Sequence, residues 1–211
     1  MPPLKHLCEL PSEKQCTSDK QERRKDLKLD KDHLMIVSPD EGALDRNIFY
    51  ASVLGVDMGM FYKRRDYTRI VNGRNPIVAH EFLGTSVEGK DMIIIDDMIS
   101  SGDTIIKIAS LLKEKGAGRV YICSTFGFFT DGLDKFDDAY KKGYFDKLLT
   151  TNLVYQSPEL LEKPYYISCD MSKYIALIID TLNHDTSVSH LLNPVDRIKR
   201  CVTNYMSQHE K

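Results

Sequence analysis

The sequence predicts an α/β fold: an open, mostly parallel twisted sheet flanked by helices. Three observations carry this expectation. Short apolar runs such as residues 34–37 (LMIV) and 92–95 (MIII) are aliphatic throughout rather than alternating, as in strands buried on both faces. Stretches of roughly helical spacing lie between them. Strands and helices interleave along the chain instead of segregating into blocks.

In chain order, the run at 34–37 ends at SPDEG, and Ile48, Phe49, Ser52, Val53 and Leu54 then recur at helical spacing. A second strand passes through Met58, Met60, Phe61 and Tyr62, a third is IVAHEFL at 77–83, and the fourth is MIII at 92–95. A helix is predicted from Thr104 to Lys115, closing on Gly116, whose lack of a Cβ suits the left-handed residue past a helix end. RVYICST at 119–125 is a strand, residues 133–142 a short helix, and 147–151 and 165–168 two more strands. Helices at 171–182 and 194–206 complete the chain.

With 211 residues, 42% of them hydrophobic and 28% charged, the chain has the size and composition of one good-sized globular domain. Residues 1–32 mix eight Lys/Arg with seven Asp/Glu and show no sustained period, so they are expected to form a polar, flexible arm. Within it Leu27 and Leu29 are where packing would begin. Residues 33–211 form the predicted domain. A net charge of −2 lacks the basic excess that drives nucleic-acid binding by counterion release. No apolar run approaches the ~20 residues that span a bilayer, and the amino terminus shows no apolar core of a secretory signal. Five scattered cysteines without C-x-x-C spacing argue against a disulfide scaffold and for a reducing cytoplasm.

The segment MIIIDDMISSGDT at 92–104 carries the chemistry. A buried strand places Asp96 and Asp97 at its carboxyl end, where carboxylates can accept hydrogen bonds from neighbouring sugar hydroxyls or hold a hydrated divalent cation. Ser100, Ser101, Gly102, Asp103 and Thr104 then turn into a helix whose first N–H groups and hydroxyls suit a phosphate dianion. Sugar hydroxyls at one end and phosphate at the other describe ribose 5-phosphate. The plainer reading is a Ser-capped helix after a solvated strand end. Residues 63–74 are basic, with Lys63, Arg64, Arg65, Arg69 and Arg74 against the single acid Asp66, and form a long connection containing Gly73. That suits a lid over phosphates, or a basic loop facing water. Asp40, after the first strand, serves equally well as a helix N-cap or as a ligand.

IIIDDMISSGDT resembles the phosphoribosyl-pyrophosphate loop of the type I phosphoribosyltransferase fold, and its Asp-Asp-Met opening resembles ribose-phosphate pyrophosphokinases in particular. The V-S-P-D-E-G stretch at 37–42 with Arg46, F-Y-K-R-R at 61–65, L-L-T-T-N at 148–152 and V-S-H-L-L at 188–192 are similar to further landmarks of that family, together covering residues 33–201. The resemblance implies transfer of a diphosphoryl group from ATP to ribose 5-phosphate. It also implies Mg²⁺ as cofactor with Asp40 assisting the metal, Lys63 and Arg65 as catalytic residues, and a homo-oligomer or a partner synthetase subunit. The family's synthetases contain a second, amino-terminal domain that supplies much of the ATP and metal site. Some thirty polar residues stand in its place here, so the chain is expected to be a carboxyl-terminal fragment, a short relative, or one half that needs a partner. An associated non-catalytic subunit is the alternative reading, and a phosphoribosyltransferase acting on a nucleobase a third.

The sequence departs from the family pattern at Ala43, Ser100 and Asp103. A carboxylate at 103 repels a phosphate bound to the same turn. Asp103→Gly is therefore expected to tighten ribose 5-phosphate binding in calorimetric titration, and unchanged or weaker affinity removes this concern.

Overall fold

The computed structural model of the chain describes residues 27–65 and 77–209, with the backbone alone for 63–65, 77–80 and 209. Among these residues the strands are β1 (Leu34–Ser38), β2 (Asp57–Arg65), β3 (Ile77–Leu83), β4 (Asp91–Ile99), β5 (Val120–Gly127), β6 (Lys147–Thr151) and β7 (Tyr166–Cys169). They form one sheet in the spatial order β3-β2-β1-β4-β5-β6-β7. Every neighbouring pair is parallel except β2 with β3, which is antiparallel. The helices are α1 (Leu44–Leu54), α2 (Asp103–Glu114), α3 (Asp134–Lys141), α4 (Pro158–Leu161), α5 (Ser172–Asn183), α6 (Ser189–Leu192) and α7 (Val195–His209).

The unbroken apolar runs arise because both faces of the sheet are covered. Successive residues of β1, β4 and β5 point to opposite faces, so Met35, Val37, Met92, Ile94 and Ile122 enter one core with α2 and α3. Leu34, Ile36, Ile93, Ile95, Tyr121 and Cys123 enter the other with α1 and α7. On α2 the buried residues Ile105, Ile108, Ala109 and Leu112 recur at helical spacing, each contributing about 1.5–3 kcal/mol for a large aliphatic group and less for alanine. Past its end Gly116 takes φ +84°, as expected, and its N–H donates to the Lys113 carbonyl at 3.0 Å.

The segments predicted at 77–83 and 147–151 are strands with those limits. β2 and β4 run further than expected, to Arg65 and Ile99, because their extra residues are paired by a neighbour: β3 for β2 and β5 for β4. Local pattern carries no sign of such pairing. The single-turn helices α4 and α6 were not anticipated, since four residues are too few to show a period. Leu27 is buried, its N–H donating to the Tyr205 hydroxyl at 2.9 Å, and Leu29 packs on the same core. The rest of the expected polar arm, residues 1–26, lies outside the described residues.

One buried polar residue ties the sheet to the loop after β1. Asn47 on α1 is fully buried, and its Nδ2 donates to the Ala43 carbonyl at 2.7 Å and the Ile95 carbonyl at 3.0 Å, with Ser38 Oγ at 3.3 Å. Asn47→Ala strips buried carbonyls of their donor and is expected to lower stability by about 2–3 kcal/mol in urea unfolding.

Candidate functional site

Two loops leave the carboxyl ends of the adjacent strands β1 and β4. From β1 the chain builds outward to β2, and from β4 it builds the other way to β5, β6 and β7. Such a reversal opens a crevice between the two loops, the usual ligand position in open α/β sheets.

The pairing of β1 with β4 ends at Val37 and Ile94, whereas β4 stays paired with β5 as far as Ile99. Asp96 and Asp97 therefore lie beyond the end of β1, with a neighbouring strand on one side only. Asp96 is half-buried, and burial pushes its carboxyl up to about 6, with the negative charges of Asp97 and Asp40 adding to the effect. The Asp97 N–H opposes this by donating to Asp96 Oδ1 at 2.8 Å. Asp97 is exposed; its Oδ1 accepts from the Met98 N–H at 2.8 Å, and its Oδ2 lies 4.0 Å from Arg46 Nη2. Arg46 Nη1 is buried with no hydrogen-bond partner among the described residues.

Asp40 caps the 3-10 turn Glu41–Ala43: its Oδ1 accepts from the N–H groups of Gly42 at 3.0 Å and Ala43 at 3.3 Å. The capping role left open by sequence is thus present. The same turn sets Asp40 near enough to Asp96 for their charges to interact.

Across the crevice, Gly102 takes φ +86° at the entry to α2. A Cβ at that position would lie 2.2 Å from Phe136 Cζ, so both the backbone angle and the close approach require glycine. Ser101 Oγ donates to Asp103 Oδ2 at 2.9 Å, and Asp103 Oδ1 accepts from Lys135 Nζ at 2.8 Å. Lys135 and Ser101 hold the Asp103 carboxyl below its usual range. Thr104 follows, exposed, in the first turn of α2. The segment after β5 braces this loop: the Phe128 N–H donates to the Ile99 carbonyl at 2.8 Å and the Thr130 N–H to the Ser100 carbonyl at 3.1 Å.

The fold thus brings Asp40, Asp96, Asp97 and residues 100–104 to one edge of the sheet. Lys63 and Arg65, read as the start of a loop, are instead the last residues of β2, paired across to His80 and Ile77 of β3. Their side chains, and Arg69 and Arg74 altogether, lie outside the described residues. Lys135 and Asn47 were not singled out. A lysine in a helix rich in surface charge carries no signal of its partner, and the buried role of Asn47 follows from two elements distant in sequence.

Residues 12–163 match the family of the phosphoribosyl transferase domain. The chain belongs to that family. This phosphoribosyl transferase domain is 31% identical over 163 residues to the ribose-phosphate pyrophosphokinase of Vibrio parahaemolyticus, a match covering 77% of this chain and 49% of the relative. It is 34% identical over 121 residues to the ribose-phosphate pyrophosphokinase of Thermococcus kodakarensis, covering 57% and 39%. The chain spans about half the length of the curated relatives it matches. In three dimensions it is similar to the phosphoribosylpyrophosphate synthetase from Mycobacterium smegmatis, with a TM-score of 0.60 and 24% identity over 72% of this chain and 45% of that one. The predicted fold class stands on this likeness and on the observed sheet.

Among the described residues no three His, Cys, Asp or Glu side chains gather into a metal cage. The adjacent carboxylates Asp96 and Asp97 nevertheless fit Mg²⁺, which keeps several waters and takes one or two carboxylates beside substrate oxygens. No described helix is long and apolar enough to cross a membrane.

The raised Asp96 carboxyl has a defined sign. Its folded form holds a proton that the unfolded chain has released, so its destabilising contribution is absent below about pH 4 and complete above about pH 6. Asp96→Asn is expected to raise stability at pH 7 by about 1–3 kcal/mol. It should also flatten the stability profile between pH 4 and 6 in urea unfolding.

Proposed function

We propose that the chain is the carboxyl-terminal, sugar-phosphate-binding half of a ribose-phosphate diphosphokinase, which converts ATP and ribose 5-phosphate to AMP and 5-phosphoribosyl 1-diphosphate. The observation that carries this reading is the pairing, across one crevice, of adjacent carboxylates at Asp96 and Asp97 with a positive-φ glycine turn at the start of α2. Similarity to enzymes named ribose-phosphate pyrophosphokinase supports it.

In this reading the N–H groups and hydroxyls of Ser100–Thr104 hold the 5-phosphate. Asp96 and Asp97 accept hydrogen bonds from the ribose hydroxyls and fix the orientation of the anomeric hydroxyl. That hydroxyl attacks the β-phosphorus of ATP, the bond to the α-phosphate oxygen breaks, and AMP leaves. Such transfers are accelerated mainly by positioning and by positive charge on the phosphoryl oxygens. Lys63 supplies a point charge there and Arg65 a planar, two-pronged clamp. Mg²⁺ bound beside Asp96 and Asp97, with Asp40 assisting, would neutralise phosphate charge. Arg46, with one buried nitrogen unpaired among the described residues, lies 4.0 Å from Asp97 through Nη2.

A second reading, a non-catalytic subunit that assembles with complete synthetases, is favoured by exposed apolar side chains on the last helices, among them Ile179, Leu182 and Leu192. Exposed large apolar side chains are candidates for an association surface. The free thiols of Cys123, Cys169 and Cys201 agree with a reducing compartment, and we place the protein in the cytoplasm.

A coupled assay for AMP release from ATP, with Mg²⁺ and with or without ribose 5-phosphate, distinguishes these readings. Sugar-dependent release by the chain alone supports the diphosphokinase. Absence of release alone, with altered turnover when a complete synthetase is added, favours the subunit. With 5-phosphoribosyl 1-diphosphate supplied instead of ATP and ribose 5-phosphate, release of pyrophosphate that depends on an added nucleobase would replace both with a phosphoribosyltransferase.

A further inference from the structure

The loop assigned above to a phosphate dianion carries a negative charge of its own. Asp103 is the first residue of α2, so its carboxylate shares the helix N-terminus with any anion bound there. Like charges that close weaken anion binding. The structure does not leave this charge bare. Lys135 Nζ lies 2.8 Å from Asp103 Oδ1 and 2.9 Å from Asp131 Oδ2, while Ser101 Oγ donates to the other Asp103 oxygen.

The position of Lys135 is imposed by the core. The next residue of α3, Phe136, is fully buried directly against Gly102, where no Cβ has room. Two successive residues of α3 thus meet two successive residues of the loop, Phe136 from beneath and Lys135 at the rim. The close contact of Phe136 with Gly102 anchors α3 beside the loop, and Lys135, its neighbour in the chain, reaches Asp103.

We propose that Lys135 is a positioning residue of the phosphate loop. By holding Asp103 and cancelling its charge, it lets a sugar phosphate occupy the N-terminus of α2. The inference rests on the sugar-phosphate reading of the site. Exposed ion pairs contribute little to folding, so the effect falls on anion affinity rather than on stability.

Calorimetric titration of the full 211-residue chain with ribose 5-phosphate tests this. Lys135→Met is expected to weaken binding about tenfold, the scale of one unit charge uncovered near a dianion. Its melting temperature should stay near that of the wild type. Lys135→Arg, which keeps the charge, is expected to bind within about threefold of the wild type. Lys135→Met combined with Asp103→Asn should recover most of the lost affinity, since the charge to be cancelled is gone. If Lys135→Met binds as the wild type does, or if its loss persists unchanged on the Asp103→Asn background, the inference is overturned and the sugar-phosphate site stands. If the folded wild type binds no ribose 5-phosphate, that reading and this inference fall together.

Discussion

The site exists because one strand outruns its neighbour. β4 continues to Ile99 along β5, while β1 stops at Ser38 and turns away. The residues of β4 past Ile94 therefore have no pairing strand on the β1 side. Just past that point Asn47 Nδ2 donates to both the Ala43 and the Ile95 carbonyls, tying the turn after β1 to β4. The two carboxylates at this step accept from the backbone N–H groups of Asp97 and Met98.

The electrostatics of the crevice are unbalanced in a way that suits a positively charged or hydroxyl-rich visitor on one side and an anion on the other. Around Asp96 the neighbours are Asp97 and Asp40, and the carboxyl is pushed up accordingly. Around Asp103 the neighbours are Lys135 and Ser101, and the carboxyl is pulled down. Two acidic residues seven positions apart thus sit in opposite fields. A half-buried carboxylate flanked by two others costs stability, and perturbed carboxyls commonly gather where ligands bind.

Much of the fold was legible in the chain. Residues 34–37 and 92–95 declare themselves as strands because a strand covered on both faces favours aliphatic side chains at every position. Gly116 announced a helix end because only glycine enters the left-handed region without strain. The site was partly legible for a similar reason: Asp-Asp after an aliphatic run, followed by Ser-Ser-Gly, places its chemistry within a dozen residues. What was not legible lies in contacts between distant segments. The extension of β4 depends on Phe126 and Gly127 of β5, the role of Lys135 on a residue 32 positions earlier, and the extent of β2 on pairing with β3.

The amino-acid sequence by itself determined the class of fold, the order of strands and longer helices, and the local group of residues proposed to meet a sugar phosphate. These follow from short-range rules: the period of apolar residues, the conformations open to glycine, and the donors at the start of a helix. Tertiary structure alone decided where β1 ends relative to β4, which carboxylate is neutralised and which is not, and which face of α3 braces the loop. Each of these depends on what lies beside a residue in space, and burial and charge pairing act across space rather than along the chain.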